Sequence, residues 1–148
     1  MGYTHYWTFK KKVNNITNGA EKFKNAVELF KQGIEKLRES GKQDLDGNVL
    51  DYTKLLGDAM GEGEPIIEDD KLIFNGKCPN DYETFCITTE SNGFDFCKTA
   101  RKPYDPFVCL ALLCFENEFG DDIEVSSDGE RTDDEGWVIA KDVFDQIK

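Results

Sequence analysis

The sequence predicts an α+β domain, a mainly antiparallel sheet with helices packed on one face and one central buried helix. Three observations carry this. Short apolar runs in the middle of the chain sit at hairpin-length gaps, which suits antiparallel pairing rather than βαβ crossovers. Two stretches repeat their apolar residues with helical spacing, and a third, residues 107–119, is apolar almost all round. The 148 residues form one ordinary domain, 1–148, whose 39% hydrophobic content supplies one core and excludes a disordered chain.

Tyr3 to Lys12 is rich in aromatic and β-branched residues and reads as a strand with an exposed lysine end. Alternation puts Tyr3, His5 and Trp7 on one face, Thr4 and Tyr6 on the other. Asn18 with Glu21 reads as a capping box opening a helix, and Phe23, Val27, Phe30, Ile34 and Leu37 mark its buried face until Gly41 stops it. Residues 44–64 read as an Asp- and Gly-rich loop with at most one short helix. Asp44, Asp46, Gly47 and Asn48 lack the ligand order of a calcium loop.

From Pro65 the pattern becomes short strands. Ile66-Ile67 and Lys71 to Phe74 flank Asp69-Asp70, Asn75-Gly76 predicts a turn, and Tyr82 to Thr88 and Phe94 to Thr99 read as further strands. Asp105 and Pro106 suit the N-cap and first residue of the 107–119 helix. Gly120 closes it, Ile123 to Ser126 reads as a strand, and Asp128-Gly129 as a turn. A final amphipathic helix sets Trp137, Ala140, Phe144 and Ile147 on one side.

The formal charge is −12, from 18 basic and 30 acidic residues. Residues 1–43 hold nine Lys/Arg and four Glu, a net of +5, so the remainder carries −17. The densest acidic stretch, 116–135, sets ten Asp/Glu against Arg131 alone. Such a surface repels nucleic-acid phosphates and argues against polymeric nucleic acid as a partner. It reads either as a solubilising face or as one that imitates nucleic acid to occupy a basic host protein. No apolar run is long enough to span a membrane, and the opening residues predict no secretory leader. The five cysteines are odd in number and lack zinc-type pair spacing, which predicts free thiols in a reducing compartment. With one histidine, a zinc site would need cysteines from distant segments, so neither metal nor cofactor is expected.

Two concentrations of chemistry stand out. Lys98, Thr99, Arg101 and Lys102 precede the buried helix, with Tyr104 beside its start. Cations, a hydroxyl and helix-start amides are the parts of a phosphate or carboxylate pocket. The alternative is pairing of these cations with the many acids. Second, His5 and Trp7 on one strand face offer an indole and an imidazole for stacking on a base, or else cross-strand packing in a Phe-rich core. His5 as a general base needs a partner that the sequence does not identify. Ser126 and Ser127, at a strand end, offer hydroxyls to a ribose or anion. No Gly-x-Ser-x-Gly elbow surrounds them, so no catalytic residue is assigned.

Gly-Tyr-Thr-His-Tyr-Trp at 2–7, Glu83-Thr84-Phe85, Phe-Cys-Lys-Thr-Ala-Arg-Lys-Pro-Tyr-Asp at 96–105 and Gly-Asp-Asp-Ile-Glu-Val-Ser-Ser-Asp-Gly at 120–129 together resemble a family of small acidic proteins of tailed bacteriophages. The likeness spans most of the chain and is least over 13–65. It implies a viral protein in host cytoplasm, and little chemistry. The resulting expectation is a phage binding protein that captures a small phosphorylated ligand, such as a nucleotide signal of host anti-phage defence. Lys98, Arg101 and Lys102 would take phosphate, Thr99, Ser126 and Ser127 would hydrogen-bond, and Trp7 or Tyr104 would stack. The alternatives are an acidic inhibitor of a basic host protein and a phosphoester-acting enzyme using His5 or Asp128. Self-association is left open.

Overall fold

The computed structural model describes residues 3–148; Met1 and Gly2, part of the opening motif, lie outside the described residues. The chain runs β1 (Thr4–Phe9), α1 (Gly19–Ser40), α2 (Tyr52–Leu55), β2 (Leu56–Gly57), β3 (Ile66–Glu68), β4 (Lys71–Gly76), β5 (Phe85–Thr88), β6 (Gly93–Lys98), α3 (Asp105–Phe119), β7 (Ile123–Ser127) and α4 (Glu135–Ile147). The α+β class is as expected, and every strand pairing is antiparallel. The strands form two sheets rather than one. One has the order β6-β1-β7, and the other centres on β4, paired with β2, β3 and β5.

Helix α3 is the innermost element, packed between α1 and α4. Its sequence has no polar face over most of its length, and residues 105 to 115 are all buried. Gly33 of α1 lets the two helices approach, because a Cβ there would stand 2.7 Å from Leu110 Cδ2. Phe23 of α1 meets Phe115 at a ring separation of 5.1 Å, and Trp7 of β1 meets Phe85 at 5.1 Å. Trp7 is therefore core, as the packing alternative had it.

Three local expectations are corrected. Asn18 precedes α1 with left-handed backbone and no side-chain cap, so the capping box does not form. Asn75-Gly76 does not turn the chain but ends β4, where Gly76 pairs with Leu56. The buried Asn75 side chain instead binds the 82–84 segment, its amide donating to Tyr82 O at 3.0 Å while its oxygen accepts from Tyr82 N at 3.0 Å. At α3, Tyr104 takes the cap position, and Asp105 becomes the first helical residue, turned inward. Among the described residues, no helix is long and apolar enough to cross a membrane.

Candidate functional site

Alternation along β1 sends His5, Trp7 and Phe9 into the interior. His5 is fully buried and meets the start of α3 on one side and the end of β7 on the other. Its Nε2 lies 2.6 Å from Asp105 Oδ1, and its Nδ1 lies 2.6 Å from Ser127 Oγ. Thr99, also fully buried, donates its hydroxyl to the same Asp105 oxygen at 2.5 Å. Trp137 Nε1–H donates to Ser127 Oγ at 3.1 Å. One proton assignment satisfies the chain: Trp137 to Ser127, Ser127 to His5 Nδ1, and His5 Nε2–H to Asp105.

One turn of α3 further on, Cys109 Sγ stands 3.7 Å from His5 Nε2 and 3.9 Å from Asp105 Oδ2. The three donor atoms of His5, Asp105 and Cys109 lie within 4.8 Å of one another. The fold thus gathers an imidazole, a carboxylate and a thiol from β1 and α3, a grouping that no sequence spacing announced. Burial, and then the charge of Asp105, hold the Cys109 thiol well above its ordinary range, so without a counter-charge it stays protonated. Tyr3 closes one side, its ring edge-on to His5 with centroids 5.0 Å apart. Burial, then the charge of Asp105, push its phenol upward. Among the described residues its hydroxyl is the one buried side-chain oxygen or nitrogen without a hydrogen-bond partner.

The cation segment is arranged differently from an open phosphate cradle. Ala100 and Arg101 both adopt left-handed backbone, at φ 51° and 57°, which costs roughly 1–2 kcal/mol per residue. That turn is pinned by Tyr3 O, which accepts from both Thr99 N and Ala100 N. It lays the Arg101 guanidinium over the Tyr3 ring at 4.0 Å and against Asp134 at 2.8 Å. Burial pushes the Asp134 carboxyl up, but Arg101 and the Glu130 N–H outweigh it and hold the group below its usual range. Lys98 leans over Tyr82 at 5.7 Å. Arg101 and Lys102 border a hollow of about 40 Å³ with Asp44, Glu135, Gly136 and Asp105. Its acids outnumber its cations.

Of the residues singled out by sequence, His5, Thr99 and Ser127 meet in the buried centre. Trp7 and Tyr104 are buried elsewhere in the core and present no ring face to solvent; Tyr104 donates its hydroxyl to Glu83 O at 2.6 Å. Ser126 and Ser127 alternate on β7, so Ser126 is exposed on the opposite face. Lys98, Arg101 and Lys102 stay at the surface. Sequence reasoning missed Asp105, Cys109, Tyr3 and Trp137 as members of one polar centre. The available signal was Asp105 at the head of an otherwise apolar helix, with Cys109 four residues on.

A second surface is formed by the outer face of the β6-β1-β7 sheet. Registry sets Tyr6 between Phe96 and Ser126, and Thr8 between Phe94 and Glu124. Phe94 and Phe96, both on β6, are 63% and 48% exposed. Tyr6 stacks on Phe94 at 6.1 Å and Phe94 lies 6.0 Å from Phe96. Along the β7 side run Glu124 and Asp128, both exposed, and the Tyr6 hydroxyl donates to Asp128 at 2.8 Å. The β6 edge is blunted, since Asp95 Oδ1 accepts from Phe96 N at 2.8 Å and Glu83 Oε1 accepts from Lys98 N at 2.7 Å.

A cavity of about 440 Å³ lies beside Leu113 of α3 and Trp137 and Val138 of α4. Arg131 caps the indole at 4.5 Å and binds Glu116 through two contacts of 2.8 Å. Comparison with known protein families, with curated proteins and with solved structures finds no match.

Proposed function

We propose that the protein is a binding protein that engages a basic protein segment through the outer face of its three-stranded sheet. The observation that carries this reading is the exposed pair Phe94 and Phe96 beside half-buried Tyr6, flanked by Glu124 and Asp128. Contiguous exposed aromatics are uncommon on a domain without a partner. Aromatic faces attract guanidinium and ammonium groups, by about 0.5–2 kcal/mol each, and adjacent carboxylates supply the opposite charge. An arginine- or lysine-rich stretch satisfies both at once. Asp121 and Asp122, just before β7, extend the acidic border. This is the acidic-inhibitor reading, with the aromatic strip added to the charge.

Capture of a small phosphorylated ligand has narrower support. Lys98 and Lys102 remain at the surface, but Arg101 is engaged by Asp134, and acids line the adjoining hollow. Catalysis by His5 has less, because both its ring nitrogens are occupied within a fully buried network.

The test is titration of a fluorescent arginine-rich peptide, beside a lysine-free acidic control, at two salt concentrations. Saturable binding that weakens with salt and falls at least tenfold in Phe94→Ala/Phe96→Ala, but not in Arg101→Ala, is the expected result. Binding indifferent to the aromatic pair overturns the proposal. A panel of nucleotides that raises the melting temperature, with the effect lost in Arg101→Ala, favours the phosphate reading instead.

A further inference from the structure

The geometry points to a second function, a buried metal site of the zinc type formed by His5 Nε2, Asp105 and Cys109 Sγ. Imidazole, carboxylate and thiolate together suit a borderline-soft divalent ion. An ion about 2.0–2.3 Å from each donor needs donors roughly 3.3–3.7 Å apart. The sulfur contacts of 3.7 and 3.9 Å are close to that spacing. The 2.6 Å contact between His5 and Asp105 has to open, or Asp105 has to ligate through Oδ2.

One observation supports a ligand here rather than a purely structural network. Tyr3 OH is buried without a hydrogen-bond partner, its ring edge-on to His5, and the charges of Asp105 and Asp134 act on it. A metal-held water would offer that hydroxyl the partner it lacks. Gly136, at the start of α4, lets the Asp105 carboxylate and the Cys109 sulfur pack directly against that helix's backbone. A Cβ there would lie 2.1 Å from Asp105 Oδ2 and 3.3 Å from Cys109 Sγ. The hollow bordered by Arg101, Lys102 and Gly136 reaches Asp105 and supplies the way in.

The surroundings are those that metal ligands require. Thr99 Oγ1 holds one carboxylate oxygen, and Ser127 Oγ stands ready to accept from Nδ1. On binding, the Cys109 thiol loses its proton to solvent, and the His5 proton moves from Nε2 to Nδ1. One proton is released in all. The divalent charge is cancelled by one thiolate and one carboxylate, so no net charge is left inside.

The experiment uses the full chain with Cys78→Ser and Cys86→Ser, which removes the two cysteines outside the core. The metal-free protein is titrated with Co²⁺ and then Zn²⁺. One equivalent of Co²⁺ should give a thiolate-to-metal charge-transfer band, displaced by one equivalent of Zn²⁺. The band should vanish in Cys109→Ser and persist in Cys114→Ser. His5 is the sole histidine, so its ring ¹⁵N signals report without any further variant. Stoichiometric Zn²⁺ should convert it to the Nδ1–H tautomer. An unchanged histidine spectrum, or a cobalt band that survives in Cys109→Ser, overturns the site.

Discussion

Nε2 of His5 and Oδ1 of Asp105 meet at 2.6 Å although 100 residues separate them in sequence. The contact ties the middle strand of one sheet to the first turn of the central helix. Asp105→Ala strips the acceptor from both His5 and Thr99 at a buried position. The expected cost is about 2–6 kcal/mol, from about 1–3 for each buried donor left without a partner. Thr99→Val, which removes one donor and keeps the shape, should cost about 1–3 kcal/mol. Urea unfolding of the metal-free protein measures both. Asp105→Ala within about 1 kcal/mol of wild type would show that the contact holds nothing together.

Thiol accessibility should divide the five cysteines. Cys78 is exposed and Cys86 half-buried, while Cys97, Cys109 and Cys114 are buried. At pH 8 in native buffer a disulfide reagent should modify Cys78 quickly. Cys86 should follow slowly, because burial, and then Asp95, raise its thiol. The remaining three should react only in denaturant. Rapid modification of a third thiol would contradict the packing of β6, for Cys97, or of α3, for Cys109 and Cys114.

Stability should decline at alkaline pH. Burial pushes the Cys97 thiol up to about 12, and burial likewise raises the Tyr104 phenol. A group whose folded pKa lies above its unfolded value stabilises fully below the unfolded pKa, about 8.5 for a thiol. That contribution is lost as pH rises from there through the folded value. The melting temperature should therefore fall between about pH 8.5 and 12, and Cys97→Ala should flatten the decline near its lower end.

Close approach of α1 and α3 should appear as coupling between Gly33 and Leu110. Leu110→Ala empties a fully buried position and should cost about 2–5 kcal/mol. Gly33→Ala alone crowds the end of the leucine side chain, which stands 2.7 Å from the new Cβ. The double variant should be less destabilised than the sum of the singles, because the alanine methyl then enters vacated space. Additive values would place the two helices further apart than described.

Local pattern made most elements legible. Alternation in residues 4–9 and the 4-3-4-3 apolar spacing of α1 each register which side faces a core, and burial is the dominant energy of both. The missing polar face of residues 107–119 announced the innermost helix for the same reason. Asn75-Gly76 misled because a hairpin signal is local, whereas a carboxamide that binds the 82–84 backbone is decided by distant chain. The polar centre was half legible. His5, Thr99 and Ser127 stood out as unusual residue types near strand ends, but their partners resemble ordinary helix residues. Asp105 imitates a cap and Cys109 a small apolar filler. Only the crossing of β1 over α3 distinguishes them, and crossings are not written in any short window. The exposed Phe94 and Phe96 had been legible as a strand, yet not as its open side, since phenylalanine ordinarily marks the interior.

The position of β1 between β6 and β7 bears on how the molecule comes into being. Ser127 follows its partner His5 by 122 residues. At a ribosomal pace of about 5–20 residues per second, the first strand waits roughly 6–24 s for its second neighbour. Through that interval an aromatic ribbon with unmet amides stands open in a crowded cell. Nascent chains stalled before residue 123 should accordingly recruit chaperones, and release of the last helix should end that dependence in a single step.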